Sequence, residues 1–259
     1  MHVFEKIELQ GEPFPKPLPM PPDDLIGLLR KHGFEFYYED SALRWRGDYE
    51  PTTFDKVKSI LVSNKVLVHA WRTIWEEYED QDFTAAPLWL LLGIPEIWVS
   101  GVDFAVTCHV CGRKRFHVDP NVRVQSVDTR KPIVTVNGQF AIVRNDVANR
   151  VEKELSGANL PPFDEEGKYR YFLSEGSLRH LIVKPDQAIG LDGTCKKCKS
   201  PIVEILFGPL RYASTEWKGE DVIHCDFLSC NAYTPKAYEL LRKVEKRVAK
   251  DGIILLEES

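Results

Sequence analysis

The sequence predicts an α+β fold, with mixed sheets, packed amphipathic helices and a pair of cysteine knuckles closed around an αβ insertion. Three observations predict it. Short β-prone apolar runs alternate with segments of helical period along the chain. Four cysteines stand in two CxxC pairs, Cys108-His109-Val110-Cys111 and Cys195-Lys196-Lys197-Cys198, with Gly112 to Thr194 between them. A hydrophobic fraction of 43% over 259 residues is enough for a real core, in one large domain or two ordinary ones.

The elements follow in order. Pro13, Pro15, Pro17, Pro19, Pro21 and Pro22 predict an extended polyproline segment, either a peptide ligand or a strap over the surface. Asp23 and Asp24 then suit the positive end of a short helix over Leu25–Leu29, which Gly33 would end, and Phe34–Tyr38 reads as a strand. A unit of strand, cap, helix and strand is expected three times. Ile60–Val62 would be the first strand, with Val66, Ala70 and Ile74 on the helix that follows. Ala141–Val143 would be the second, with Val147, Val151 and Leu155. Cys230–Tyr233 would be the third; Thr234 caps it, Pro235 takes the first helical position, and Ala237, Leu241, Val244 and Val248 form the apolar face. Gly157 and Gly252 would stop the second and third helices, and Ile253–Leu256 reads as a strand. Duplication and ordinary αβ grammar both account for this pattern. Strands are also expected over 103–107, 132–136 and 202–207. The domain boundary is expected near 100/101, giving an N-terminal α+β region over 1–100 and a double-CxxC domain over 101–259.

Two residues between thiols let a tight turn aim both sulfurs at one point. Two such turns supply the four soft ligands of a tetrahedral zinc, so Cys108, Cys111, Cys195 and Cys198 are the expected metal site. The alternative is four free or transiently oxidised thiols. Zinc here would be structural, because four cysteines leave no open position for water or substrate. Gly112 follows the first pair, where such a turn needs positive φ; Lys199 follows the second, so that turn is expected to be less typical. A compact zinc ribbon has roughly 15–20 residues between its pairs, far fewer than here. Cys225 and Cys230 read as small buried hydrophobes. His109, His117 and His224 would be substitute ligands only if a cysteine failed.

No nucleophile elbow, HExxH, phosphate loop or GxGxxG occurs, and the carboxylate runs lie in polar stretches, so the sequence predicts no enzyme. Met1–Lys6 lacks the pattern of a signal peptide, and Pro87–Val99 is too short and broken to span a bilayer. A reducing, cytoplasmic setting is therefore expected. A net charge of −5 argues against a general nucleic-acid binder. Locally, Arg113, Lys114, Arg115, Lys196, Lys197 and Lys199 would flank the metal, either balancing a zinc–thiolate charge or contacting phosphate. The run Glu76, Glu77, Tyr78, Glu79, Asp80 would close a helix bearing Trp71 and Trp75. These seven are the candidate contact surface for a basic protein partner, against the plainer reading of a solvated helix end.

The first knuckle with Gly112-Arg113, the long gap, the second CxxC and the tail are shared features. In the tail, Asp221-Val222-Ile223-His224 and Asp226-Phe227 precede Thr234–Val248 and Asp251-Gly252-Ile253. In these the chain resembles the double-CxxCG motif proteins of myxobacteria, over about residues 100–259. The resemblance implies a shared metal site at the four cysteines. It also implies a stoichiometric immunity function, with a cognate toxin encoded by a neighbouring gene as the partner. Lys199 in place of glycine, a shorter gap and about 100 unmatched leading residues depart from that pattern. The alternative function is a nucleic-acid-binding zinc-ribbon protein using the six cations.

Overall fold

Every second residue of strand β1 (His2–Gly11) is buried from Glu5 onward, with Ile7 and Leu9 fully enclosed. That alternation is what a strand with one covered face requires. The computed structural model describes residues 1–11, 17–100, 105–116, 119, 122–138 and 140–258. They form two units, Met1–Tyr78 and Glu79–Ser259. The division falls before the expected boundary at 100/101, because strands between Glu79 and residue 100 pair into sheets of the second unit. The whole is α+β, with five α-helices among the described residues. None of these helices is long and apolar enough to cross a membrane.

In the first unit, β1 is followed by α1 (Pro22–Arg30), β2 (Tyr37–Glu39), β3 (Ala42–Asp48), α2 (Thr53–Ser63) and β4 (Val68–Glu77). The sheet order is β2-β3-β1-β4, with every neighbouring pair antiparallel. This is the split βαβ, or ferredoxin-like, arrangement. Helix α1 begins on Pro22 with Asp23 and Asp24 in its first turn, as the sequence predicts; Pro13 and Pro15 lie outside the described residues. Leu25 and Leu29 from α1, and Val57 and Leu61 from α2, pack on Ile7, Leu9 and Leu43.

The expected first strand-to-helix unit is reversed. Ile60–Val62 belongs to α2, and Val66–Ile74 runs into β4. A spacing of four residues keeps side chains on one face of a helix, and equally on one face of a strand, whose period is two. The spacing Val66, Ala70, Ile74 therefore could not separate the two. The same spacing of Val57 and Leu61 marks the buried side of the true helix. The strand over 34–38 shrinks to β2.

The second unit opens with α3 (Asp80–Ala85), capped reciprocally by Glu79 and Asp82, then β5 (Leu88–Leu92). One sheet joins β6 (Glu96–Ile97), β9 (Ile133–Val136), β10 (Phe140–Arg144) and Tyr169–Tyr171. Between β6 and β9 a hairpin joins β7 (Ala105–Thr107) to β8 (Lys114–Phe116). Helix α4 (Asn145–Glu154) follows β10, as expected, and Gly157 turns away with φ +77. The larger sheet has seven strands, in the order Ser177–Leu178, Val222–Cys225, Cys230–Tyr233, β5, Ala249–Glu257, Leu210–Ala213 and Leu181–Ile182. One face carries the core cluster of Leu88, Tyr212, Ile223, Cys225, Ala232 and Ile254. On the other, Tyr238 of α5 (Pro235–Val244) meets Trp89 edge to face, as does Phe83 of α3. Thr234 caps α5 through the Ala237 N–H, as its sequence predicts. Gly252 does not stop α5: it lies inside the last strand, at a β-bulge between Lys250 and Gly252, and the helix ends earlier, at Val244. The strand expected over 202–207 is limited to Ile205–Leu206.

Candidate metal centre

Cys108 directly follows β7 and Arg113 directly precedes β8, so the first CxxC forms the loop of a hairpin. The Cys108 N–H donates to the Arg113 carbonyl at 2.8 Å, and the Gly112 N–H donates to the Cys108 carbonyl at 2.8 Å. The second knuckle repeats the same bonds. Cys195 N–H donates to Ser200 at 2.8 Å, and Lys199 N–H to Cys195 at 2.9 Å. Gly112 has φ +71 and Lys199 φ +59. The expectation that Lys199 makes its turn less typical is therefore corrected: the lysine adopts the left-handed conformation that glycine would take, and the backbone of the turn is unchanged.

The two hairpins meet. The Cys108 and Cys195 sulfurs are 3.9 Å apart and those of Cys111 and Cys198 3.6 Å, across 87 residues of sequence in each case. All four Sγ atoms lie within 4.8 Å of one another and could hold a metal ion. Cys195 is buried and the other three are half-buried. Backbone donors are aimed at these sulfurs. The N–H groups of Cys111 and Val110 pull Cys108 below the usual thiol range. Burial opposes ionisation of Cys198, yet the Ser200 N–H and hydroxyl, with the neighbouring thiols, bring it down to about 6. At Cys111 the Arg113 N–H favours the thiolate, but burial and the crowding of the other three sulfurs drive it up to about 11. Cys108 and Cys198 thus favour the thiolate, while Cys111 is held back by repulsion from the sulfurs around it. A cation at the centre would remove that repulsion.

Arg113 leaves the first knuckle and lays its guanidinium over the Phe227 ring, 3.5 Å from the centroid, while donating to the Phe227 carbonyl. Phe227 sits in the turn between Cys225 and Cys230, so this arginine fixes the knuckle to a hairpin of the seven-stranded sheet. Lys197 brings its Nζ to 3.1 Å from the His109 ring across the two knuckles. Lys196 and Lys199 are exposed; the side chains of Lys114 and Arg115, and all of His117, lie outside the described residues. Cys225 is fully buried, and burial raises its thiol well above the ordinary range; Cys230 is half-buried and raised to about 12, again by burial.

The proposed contact residues divide. Trp71, Trp75, Glu76 and Glu77 belong to strand β4, with Tyr78 just after it, and not to a helix. On β4, Trp71, Trp75 and Glu77 share the face opposite α1 and α2, where Trp75 stacks on Phe4 at 5.6 Å; Glu76 alternates to the other face. Glu79 and Asp80 open the second unit, at the start of α3, where acids suit the helix dipole.

Sequence reading missed the Arg113–Phe227 contact, because it joins residues 114 positions apart and has no local signature. It also missed Asp221, which accepts from the Ser156 N–H at 3.0 Å, the Thr234 hydroxyl at 2.9 Å and Lys236 at 2.9 Å. Its place two residues before the apolar run at Ile223 gave no sign of this role. No family model, no curated protein and no solved structure matches the chain.

Proposed function

We propose that the protein is a non-catalytic binding protein of the immunity type, stapled by one structural zinc and acting by stoichiometric neutralisation of a cognate protein toxin. The observation that carries the metal half is the sulfur geometry. Zinc–sulfur bonds of about 2.3 Å on a tetrahedron require sulfur–sulfur edges of about 3.8 Å, and the two cross-knuckle pairs lie at 3.6 and 3.9 Å. Cys108, Cys111, Cys195 and Cys198 would hold the ion. It would contribute folding free energy, and a fourth thiolate leaves it no open position for substrate.

The partner half rests on the sequence resemblance over about residues 100–259. A binding role is also served by the aromatic face of the first unit, where Phe4, Trp71 and Trp75 offer rigid ring surface of the kind that anchors protein interfaces. Metal analysis tests the first half: one zinc per chain and a cobalt-substituted spectrum of four thiolates are expected, and sub-stoichiometric metal would overturn it. Co-expression tests the second. The product of the neighbouring gene should arrest growth alone and be relieved by this chain in a stable complex. A harmless neighbour that does not co-purify would remove the immunity reading.

A further inference from the structure

A cavity of about 280 Å³ opens in the second unit beside the Cys225–Cys230 turn. Its walls come from both sheets: Leu90 and Leu91 of β5, Phe140 of β10, Phe172, Leu173, and Leu228 of the turn. The volume lies just below the range of drug-sized ligand pockets, roughly 300 to 1,000 Å³, and so suits only a small ligand. Among the described lining residues the charged or titratable ones are Asp251, His224, Tyr233 and Cys230, and none is a lysine or arginine.

Asp251 owes its place to a defect in the sheet. Along the strand Ala249–Glu257, Lys250 pairs with Leu91 and Gly252 with Leu90, so Asp251 is the extra residue of a bulge. A bulge costs ladder pairing and re-aims a side chain, which is why such features mark functional positions. Gly252 allows the close approach here, since a Cβ would come within 3.2 Å of Leu90. The bulge also parts Asp251 from the cation next to it in sequence. Lys250 is held among the rings of Trp89, Phe83 and Tyr238 at 4.7, 4.8 and 5.9 Å, with Asp80 3.5 Å away. The carboxylate is left facing the cavity with no salt bridge among the described residues. Asp251 is exposed to solvent at the mouth of the cavity, and the partial burial it has there raises its pKa.

We propose that this cavity binds a small ligand with an apolar body and one cationic ammonium head, the head on Asp251 and the body against Leu90, Phe140, Phe172 and Leu173. The site is independent of the toxin-binding reading. The test titrates the full, metal-loaded chain with hexylamine, hexanol and hexanoate, by calorimetry and by methyl NMR. Hexylamine is expected to bind about tenfold tighter than hexanol, the factor that one charge-assisted contact of about 1.4 kcal/mol supplies. Hexanoate should bind weakest, and shifts should centre on the Leu90, Leu173 and Leu228 methyls. In Asp251→Asn the amine preference should vanish while hexanol affinity stays within about twofold. Equal binding of amine and alcohol would overturn the proposal, as would no binding of any probe at millimolar concentration or shifts confined elsewhere. So would an amine preference surviving in Asp251→Asn. The three-probe comparison on the unsubstituted chain decides the matter even if that variant does not fold.

Discussion

Lys199 occupies a left-handed backbone position where Gly112 occupies the corresponding one in the first knuckle. A side chain there costs on the order of 1 kcal/mol, because Cβ crowds the following carbonyl. Lys199→Gly should therefore raise the stability of the metal-loaded protein by about 1 kcal/mol in urea, less whatever glycine gives back as unfolded-chain freedom. A loss of stability would show that the lysine side chain makes a contact worth more than the strain. In the first unit, Glu5 is fully buried beside Arg72, whose Nε lies 2.5 Å from the carboxylate. Burial raises the Glu5 pKa against the pull of Arg72. Glu5→Ala should cost about 3–5 kcal/mol, chiefly because the arginine is left buried without its counter-charge; a shift under 1 kcal/mol in the urea transition would mean that water reaches Arg72. At Asp221 burial is outweighed by donors from Ser156, Thr234 and Lys236, so the carboxyl lies below its usual range. A group depressed in the folded state stabilises above its unfolded pKa of about 3.9, and that stability fades as pH falls through the folded value. Asp221→Asn should be less stable at pH 7 by about 1–3 kcal/mol, with the gap closing at acid pH. A gap that is constant down to pH 2 would argue that charge plays no part.

At the scale of elements, an ion bound by the two knuckles would act as a cross-link between segments 87 residues apart. Closing a loop of that length in the unfolded chain is worth about 4–5 kcal/mol on chain-entropy grounds. Cys198→Ser or a strong chelator should destabilise the second unit by that order or more, and should release amide protection in β7, β8 and residues 194–201 first. Hydrogen exchange unchanged on metal removal would show that the hairpins meet without an ion. The knuckles were legible in the sequence because ligand spacing within a turn is local information. So was α5, whose Thr234 cap and Pro235 stand next to each other. Helix α2 and strand β4 were read in reverse because Val66, Ala70 and Ile74 satisfy both periods, and only pairing with β1 decides between them. The Arg113–Phe227 contact and the bulge at Asp251 depend on which strand lies beside which, and no window of sequence contains that. The split βαβ order of the first unit was hidden for the same reason.

Across the whole molecule, the core of the first unit and the cores of the second are built from separate residue sets, and only the second contains the thiols. Calorimetry should resolve two unfolding transitions, of which metal removal lowers one, with spectroscopic reporters on Trp71 and Trp75 following the other. One transition that moves as a single unit with metal would refute this separation. The distance between the two CxxC turns along the chain has a further consequence during synthesis. The first hairpin leaves the ribosome as a two-thiol half-site, and its partner emerges 87 residues later. At about 5–20 residues per second that is roughly 4–17 s. Throughout that interval Cys108 and Cys111 stand without their partner thiols, and under the proposed zinc reading the supply of metal and reductant at the ribosome would govern how many chains complete the site.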